Sequence, residues 1–205
     1  MNKDFFNKEL SKIIIDIDTF KNTEAVNYIK IQNIALSEFT TPTFNKSGEF
    51  SEGPRGFRNE YEKIVQPLLL LPSHRKNPCI YIFEVLNSES NVRNRYINFI
   101  KAQETSINKR KYSSINLHKK KNIKNCDSKI LYVGKSEKPI DGRIVVHFGY
   151  YEKGVAGLQL AYWAKDIKLE LNLHVFEFVD KNLHQHLEVI EKLFFVQLNP
   201  IIGKR

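Results

Sequence analysis

The chain has 205 residues, which suffices for one domain with a large extension or for two small domains. Lys and Arg number 32 against 23 Asp and Glu, and the net charge of +9 indicates an anionic partner such as nucleic acid, although a lysine-rich proteome would give the same surplus. The two cysteines, Cys79 and Cys126, form no CxxC pair, which excludes a disulfide framework and a Cys/His zinc cluster. Neither a signal peptide nor an apolar run that could span a bilayer is apparent, so we expect a cytosolic protein without a membrane partner.

The first third of the chain predicts three helices, over residues 3–15, 23–38 and 58–71, the second with Thr23 as its N-cap. Residues 40–57 are rich in Gly, Pro, Ser and Thr and predict a long loop, either functional or a disordered connector. Two prolines then bracket the polar, basic residues 72–78. We therefore predict a domain boundary there, with residues 1–77 forming a mainly helical extension.

The middle of the chain combines a buried strand with a strongly basic segment. Residues 79–86 are β-branched and aromatic after a turn signal, which predicts a strand. Residues 91–105 predict a helix. Residues 108–125 carry seven Lys or Arg and no acid, without periodicity, and predict a loop or arm. This arm could contact nucleic acid or could be a solvated charge run.

The last third alternates strands and helices. Residues 129–136 predict a strand that stops at glycine and polar residues, and two helices follow at 141–151 and 157–166. Residues 167–179 have apolar side chains at every second position in their first half and predict a third strand, with a break or a bulge where the alternation ends. Residues 182–198 have helical spacing, and Asn199-Pro200 ends the helix. The order of elements predicts an α+β fold.

Six side chains on these elements could carry chemistry: Tyr81, Tyr132, Lys135, Arg143, His147 and Glu191. The arginine and the histidine are four residues apart and so share one face of their helix. Hydrolysis of a phosphodiester needs an activated water, neutralised phosphoryl oxygens and help for the leaving alkoxide. An arginine suits phosphate, and one glutamate can hold a Mg²⁺ ion through water and substrate oxygens. Taken singly, each residue has an ordinary structural explanation.

Taken together, the motifs resemble the GIY-YIG nuclease superfamily over about residues 78–203. The short motifs CIY and LYVG are followed by an Arg with a His four residues later, and then by a Glu nine residues before a Pro. The resemblance implies a small domain at residues 78–205, with a three-stranded sheet flanked by helices and a basic insertion at about 87–127. It also implies a DNA endonuclease that depends on Mg²⁺ or Mn²⁺.

The resemblance assigns a role to each candidate residue. Glu191 would hold the metal, preferred over Glu188 by its spacing from the proline, and Arg143 would neutralise the phosphate. Tyr81, helped by Lys135 or His147, would orient or deprotonate the attacking water. Tyr132 would position groups through its hydroxyl.

Contacts with DNA are expected from Gly134, where a missing side chain permits close approach, and from the basic insertion. The insertion residues expected to bind DNA are Lys109, Arg110, Lys111, Lys119, Lys120 and Lys121. The N-terminal extension is expected to assist in recognising DNA. The compact chain best suits an enzyme of restriction or mobile-element type.

The chain departs from the family pattern at several positions. Cys79 and Val133 replace the usual Gly and Ile, the connection between the two motifs is far longer than usual, and Gly203 replaces an Asn. A structure-specific repair nuclease and a non-catalytic nucleic-acid-binding protein therefore remain as alternatives. A homodimer also stays open, because one single-strand site needs two copies or two successive cuts to break a duplex.

Overall fold

The computed structural model of the chain describes residues 26–43, 58–71, 77–87, 92–105, 116–117, 123, 128–150, 156–179 and 184–203. These residues form an α+β fold, as expected, in which helices pack against an antiparallel sheet. The predicted helix at 3–15, most of the loop at 40–57 and nearly all of the basic arm lie outside the described residues.

In chain order, the strands are β1 (Val26–Ala35), β2 (Cys79–Val85), β3 (Asn116–Leu117), β4 (Ile130–Ser136), β5 (Ala156–Gly157) and β6 (Glu170–Phe178). The helices are α1 (Arg58–Val65), α2 (Val92–Thr105), α3 (Ile140–Phe148), α4 (Leu160–Trp163) and α5 (Leu187–Leu198). The main sheet has the order β1-β6-β2-β4, and every neighbouring pair is antiparallel. Strands β3 and β5 form a separate parallel pair of two residues each.

The helix predicted at 23–38 is wrong, because residues 26–35 form β1 at one edge of the sheet. Ile29 and Ile31 alternate toward the core as strand residues should, but Asn33 adopts a positive φ of 55°. The resulting irregularity shifts the register between Ile31 and Ile34 and disguises the period of two. The sheet therefore has four strands rather than three, and the described part of the N-terminal third is not mainly helical.

The other predicted helices and strands that lie within the described residues are confirmed with changes at their ends, the largest being the helix predicted at 157–166, which spans only Leu160–Trp163. Helix α1 stops at Val65 and continues as a 3-10 helix over Gln66–Leu70, where Pro67 removes a backbone donor. Helix α3 ends at Gly149, whose φ of 102° is the left-handed conformation that favours glycine. In the described part of the chain, no helix is long and apolar enough to cross a membrane.

Two hydrophobic cores lie on opposite faces of the sheet. The larger core contains one face of β2 together with residues of α1, α2, α3 and α4. Leu36 and Leu68, which precede the predicted boundary at residue 77, belong to this same core. The smaller core packs α5 against Ile80, Ile82 and Val133. The candidate tyrosines lie on the face that carries the larger core, whereas helix α5, which contains Glu191, packs on the opposite face.

Candidate active site

The two candidate tyrosines lie side by side on neighbouring strands. Tyr81 of β2 is paired with Gly134 of β4, and Tyr132 lies two residues before this glycine. The two rings have centroids 6.1 Å apart. A Cβ atom on Gly134 would lie 2.5 Å from the Cζ and Oη atoms of Tyr81 and 2.6 Å from Cε1 of Tyr132. The glycine therefore makes room for both rings, and its expected contact with DNA stays a prediction.

His147 anchors the hydroxyl of Tyr81 from helix α3. Its Nε2 atom lies 2.8 Å from the Tyr81 Oη, and its Nδ1 atom accepts the backbone N–H of Leu158 at 3.3 Å. Because Nδ1 acts as an acceptor, the proton of the neutral ring lies on Nε2, which donates to the tyrosine. The close approach of Gly157 to the carbonyl of Val146, where a Cβ would lie 2.4 Å from the oxygen, brings the Leu158 amide within reach.

Arg143 lies one turn before His147 and completes a buried hydrogen-bond network. Its guanidinium donates to the phenol oxygens of both Tyr81 and Tyr132, and the two phenols are also hydrogen-bonded to each other. Tyr81 and His147 are fully buried, whereas Arg143 is partly exposed. The spacing of four residues on α3, predicted from the sequence, thus brings both side chains to the tyrosine.

This geometry argues against the expected role of Tyr81 as the group that deprotonates water. Burial, reinforced by the neighbouring Tyr132, raises the pKa of Tyr81 well above its usual value. His147 donates to its oxygen instead of accepting its proton. Lys135 follows Gly134 and so points to the other face of the sheet, where its ammonium bonds Glu137 at 2.7 Å. Tyr81 is therefore better suited to holding Arg143 in place.

Glu191 reaches the edge strand β4 from helix α5. Its carboxylate accepts the backbone N–H of Lys135, and the charges of Lys135 and Arg143 act on it. Burial nevertheless raises the pKa of Glu191 above its usual value, and the nearby Glu188 adds to this effect. Glu188 itself is exposed and bonds Lys192 at 2.7 Å. Glu191 is therefore the more buried of the two glutamates, and the preference for it as a metal ligand stays a prediction.

A divalent ion fits this donor set only if most of its ligands are water and substrate oxygens. Among the residues that the structure describes, no group of three or more His, Cys, Asp and Glu side chains could hold a metal. Glu191 supplies one hard oxygen donor, and Mg²⁺ is commonly bound through one or two carboxylates together with phosphate oxygens. The site suits an ion that arrives with, or is completed by, a phosphate-bearing substrate.

The C-terminal edge of the site explains one departure from the family pattern. Ile202 forms an isolated parallel β-bridge with Tyr132, and its backbone N–H donates to the carbonyl of Leu131 at 2.9 Å. Gly203 has a φ of +154°, and a Cβ there would lie 2.4 Å from Cε2 of Phe195. The chain lies too close to Phe195 for the expected Asn, so a glycine is needed here.

The structure brings together Tyr81, Tyr132, Arg143 and His147, and the charge of Glu191, which is bonded to the Lys135 backbone N–H, acts on Tyr132. The six basic residues of the arm, from Lys109 to Lys121, lie outside the described residues. Sequence reasoning missed the Leu158 amide that fixes the histidine, because a backbone donor leaves no signal in residue types. Comparison of the chain with models of protein families, with curated proteins and with solved structures found no match in any of the three.

Proposed function

We propose that the chain is a metal-dependent endonuclease that hydrolyses phosphodiester bonds in DNA, most simply of restriction or mobile-element type. The observation that carries this proposal is that Arg143 bonds the phenols of Tyr81 and Tyr132, while its charge also acts on Glu191, whose carboxylate lies at strand β4. These are also residues that carry the resemblance to GIY-YIG nucleases. The net charge of +9 supports an anionic substrate.

Each side chain has a role that follows from its contacts. The partly exposed Arg143 binds the scissile phosphate and neutralises the charge that develops on its oxygens. Tyr81, fixed by His147, acts as a positioning residue because it bonds the guanidinium and limits the directions in which the arginine can point. Tyr132, also bonded to the arginine, restrains it from a second side.

Glu191 would hold a Mg²⁺ or Mn²⁺ ion at the edge strand, close to the arginine. Such an ion would supply positive charge to the phosphoryl oxygens and acidify the attacking water. Burial raises the pKa of Glu191 despite the charges of Lys135 and Arg143, and a divalent cation would offset this cost of burying the carboxylate. The Lys135 amide fixes the direction of the carboxylate.

Digestion of supercoiled plasmid in Mg²⁺, with DNA binding followed by mobility shift, tests this proposal. The wild type should nick or linearise the plasmid. Arg143→Ala should cut roughly 10²- to 10³-fold more slowly, as expected when one transition-state donor is removed, while still binding DNA. Equal cutting by wild type and variant would contradict the assignment.

A non-catalytic DNA-binding protein is the second candidate, and the complete burial of Tyr81 and His147 favours it, because neither reaches solvent. Binding of DNA by the wild type without any cleavage in Mg²⁺ or Mn²⁺ would establish this alternative. Mapping the ends of products from defined linear and branched DNA would separate a sequence-specific enzyme from a structure-specific repair nuclease.

A further inference from the structure

A second tyrosine–histidine pair lies on the opposite face of the sheet and includes a carboxylate. The Tyr28 hydroxyl of β1 is 2.9 Å from Nδ1 of His174 on β6. Nε2 of the same ring is 3.0 Å from Oε2 of Glu84 on β2. Three neighbouring strands thus contribute one group each to a continuous hydroxyl–imidazole–carboxylate chain.

The direction of these hydrogen bonds follows from the carboxylate. An ionised Glu84 can only accept, so Nε2 of His174 carries a proton and donates it. Nδ1 of the neutral ring is then an acceptor, and Tyr28 donates its own O–H to it. The Asn172 amide donates to Glu84 at 2.8 Å, and this bond, together with that from His174, lowers the pKa of Glu84. The carboxylate is therefore ionised at neutral pH and orients the ring.

Tyr28, at one end of this hydrogen-bond chain, is exposed, whereas His174 and Glu84 are more buried. Tyr28 is 50 % exposed, while the side chains of His174 and Glu84 are 19 % and 28 % exposed. The Tyr28 ring packs on Phe176 with centroids 4.9 Å apart, which fixes its position. Lys30 lies two residues along the same strand face, and its Nζ atom is 4.0 Å from Glu84. A positive charge thus stands beside the carboxylate of this hydrogen-bond chain.

We propose that Tyr28 is a second reactive site, a nucleophilic hydroxyl that attacks the phosphorus of a phosphate or phosphonate ester or anhydride, with His174 as general base and Glu84 orienting the ring. A free phenol is only about one part in a thousand ionised at neutral pH, so a tyrosine needs a base to react. His174 supplies that base, and the positive charge of Lys30 on the same strand face favours a substrate with phosphoryl oxygens.

The step balances without any further reactant. The O–H bond of Tyr28 breaks and its proton moves to Nδ1 of His174 while an Oη–P bond forms. The P–O bond to the leaving group breaks, and the departing oxygen takes the proton from His174. The product is a phosphotyrosyl adduct at Tyr28.

This site is separate from the proposed nuclease site. His174 is paired with Ile82, which belongs to the smaller core, whereas Tyr81 faces the larger one. The strand order places β1 at one edge of the sheet and β4 at the other. Failure of either proposal therefore leaves the other intact.

Labelling with an alkyl fluorophosphonate tests the proposal, because attack by the hydroxyl forms an Oη–P bond and releases fluoride. Intact mass and peptide mapping should show one adduct at Tyr28, formed at least 10²-fold faster than on N-acetyl-tyrosinamide at the same pH. His174→Gln keeps the tyrosine exposed but removes the base, and should slow labelling about 10²-fold. Glu84→Gln should slow it less.

Two results would overturn the proposal. The first is an unmodified Tyr28 or one that reacts no faster than the free amide, a comparison that needs no variant. The second is equal labelling of wild type and a His174→Gln protein whose thermal unfolding shows that it is folded. Labelling of Tyr28 that depends on His174 would support it whatever the outcome of the plasmid assay.

Discussion

The two faces of the sheet each hold a tyrosine that is hydrogen-bonded to a histidine at nearly the same distance. The two hydroxyls nevertheless have opposite roles, because one accepts a hydrogen bond from its histidine and the other donates one. His147 lies 2.8 Å from Tyr81 and His174 lies 2.9 Å from Tyr28. When both rings are neutral, these contacts place the proton of each on Nε2. On the buried face this nitrogen meets the tyrosine and donates to it, and on the exposed face it meets Glu84 and leaves Nδ1 to accept.

The partner of the ring nitrogen that does not contact the tyrosine therefore decides whether the histidine donates a hydrogen bond to the tyrosine or accepts one from it. A backbone N–H at Nδ1 makes His147 a donor that holds Tyr81 in place, as suits a support for Arg143. A carboxylate at Nε2 makes His174 an acceptor that activates Tyr28. The same pair of residue types thus serves structure on one face and chemistry on the other.

Filling the space between the buried tyrosines should have the largest effect on stability. Gly134→Ala would place a Cβ 2.5 Å from the Tyr81 ring, and we expect a loss of about 3 kcal/mol in the free energy of unfolding. Gly142→Ala is the matched control, because nothing lies within 4 Å of its added Cβ and it sits in helix α3, where alanine should stabilise by about 1 kcal/mol. Urea denaturation measures both. Equal stability of the two variants would contradict the described packing.

Removing each hydroxyl in turn sharpens the contrast between the faces. Tyr81→Phe removes the acceptor of the buried His147 Nε2–H and one of the two phenol acceptors of Arg143, and should cost about 1–3 kcal/mol. Tyr28→Phe removes an exposed hydroxyl and should change stability by less than about 0.5 kcal/mol. Denaturation curves of the two variants under one condition test this. A larger cost for Tyr28→Phe would reverse the assignment of the two faces.

A further effect depends on pH and concerns the hydrogen-bond chain of Tyr28, His174 and Glu84. The pKa of Glu84 is lowered by the Asn172 and His174 hydrogen bonds, so its stabilising contribution is present above the unfolded pKa of about 4.3 and is lost as pH falls through the lower folded value. Glu84→Gln should therefore be less stable than wild type at pH 7 by about 1 kcal/mol or less. The difference should shrink below about pH 4. A gap that is unchanged or widens in acid would contradict the ionised carboxylate.

Much of the fold could be predicted from the sequence, because most elements carry a clean period. The strand predicted at 167–179 and the helix predicted at 182–198 are recognisable because their apolar side chains recur every two residues and every three to four residues. The strand β1 could not be predicted, since the kink at Asn33 breaks its alternation and its identity depends on pairing with β6. Here tertiary contacts override the local pattern.

The two candidate sites also differ in whether they could be predicted from the sequence. The first could be assembled from short motifs, because its members lie on elements whose order and spacing are local properties. The second could not, because Tyr28, Glu84 and His174 lie far apart in the chain and meet only through the strand order. Recognising it would have required β1 to be identified as a strand. The effect of burial on the pKa of Tyr81 could not be predicted either, because a motif does not show which face of the sheet is covered.

The most direct test of the proposed nuclease site compares two glutamates on one helix. Glu191 is bonded to the backbone of the edge strand at Lys135, whereas Glu188, three residues earlier, is exposed and bonded to Lys192. Single-turnover cleavage of plasmid DNA in Mg²⁺ should fall at least 10²-fold in Glu191→Gln and should be unchanged in Glu188→Gln. Wild-type cleavage by Glu191→Gln, or a loss confined to Glu188→Gln, would contradict the proposed metal-binding role of Glu191.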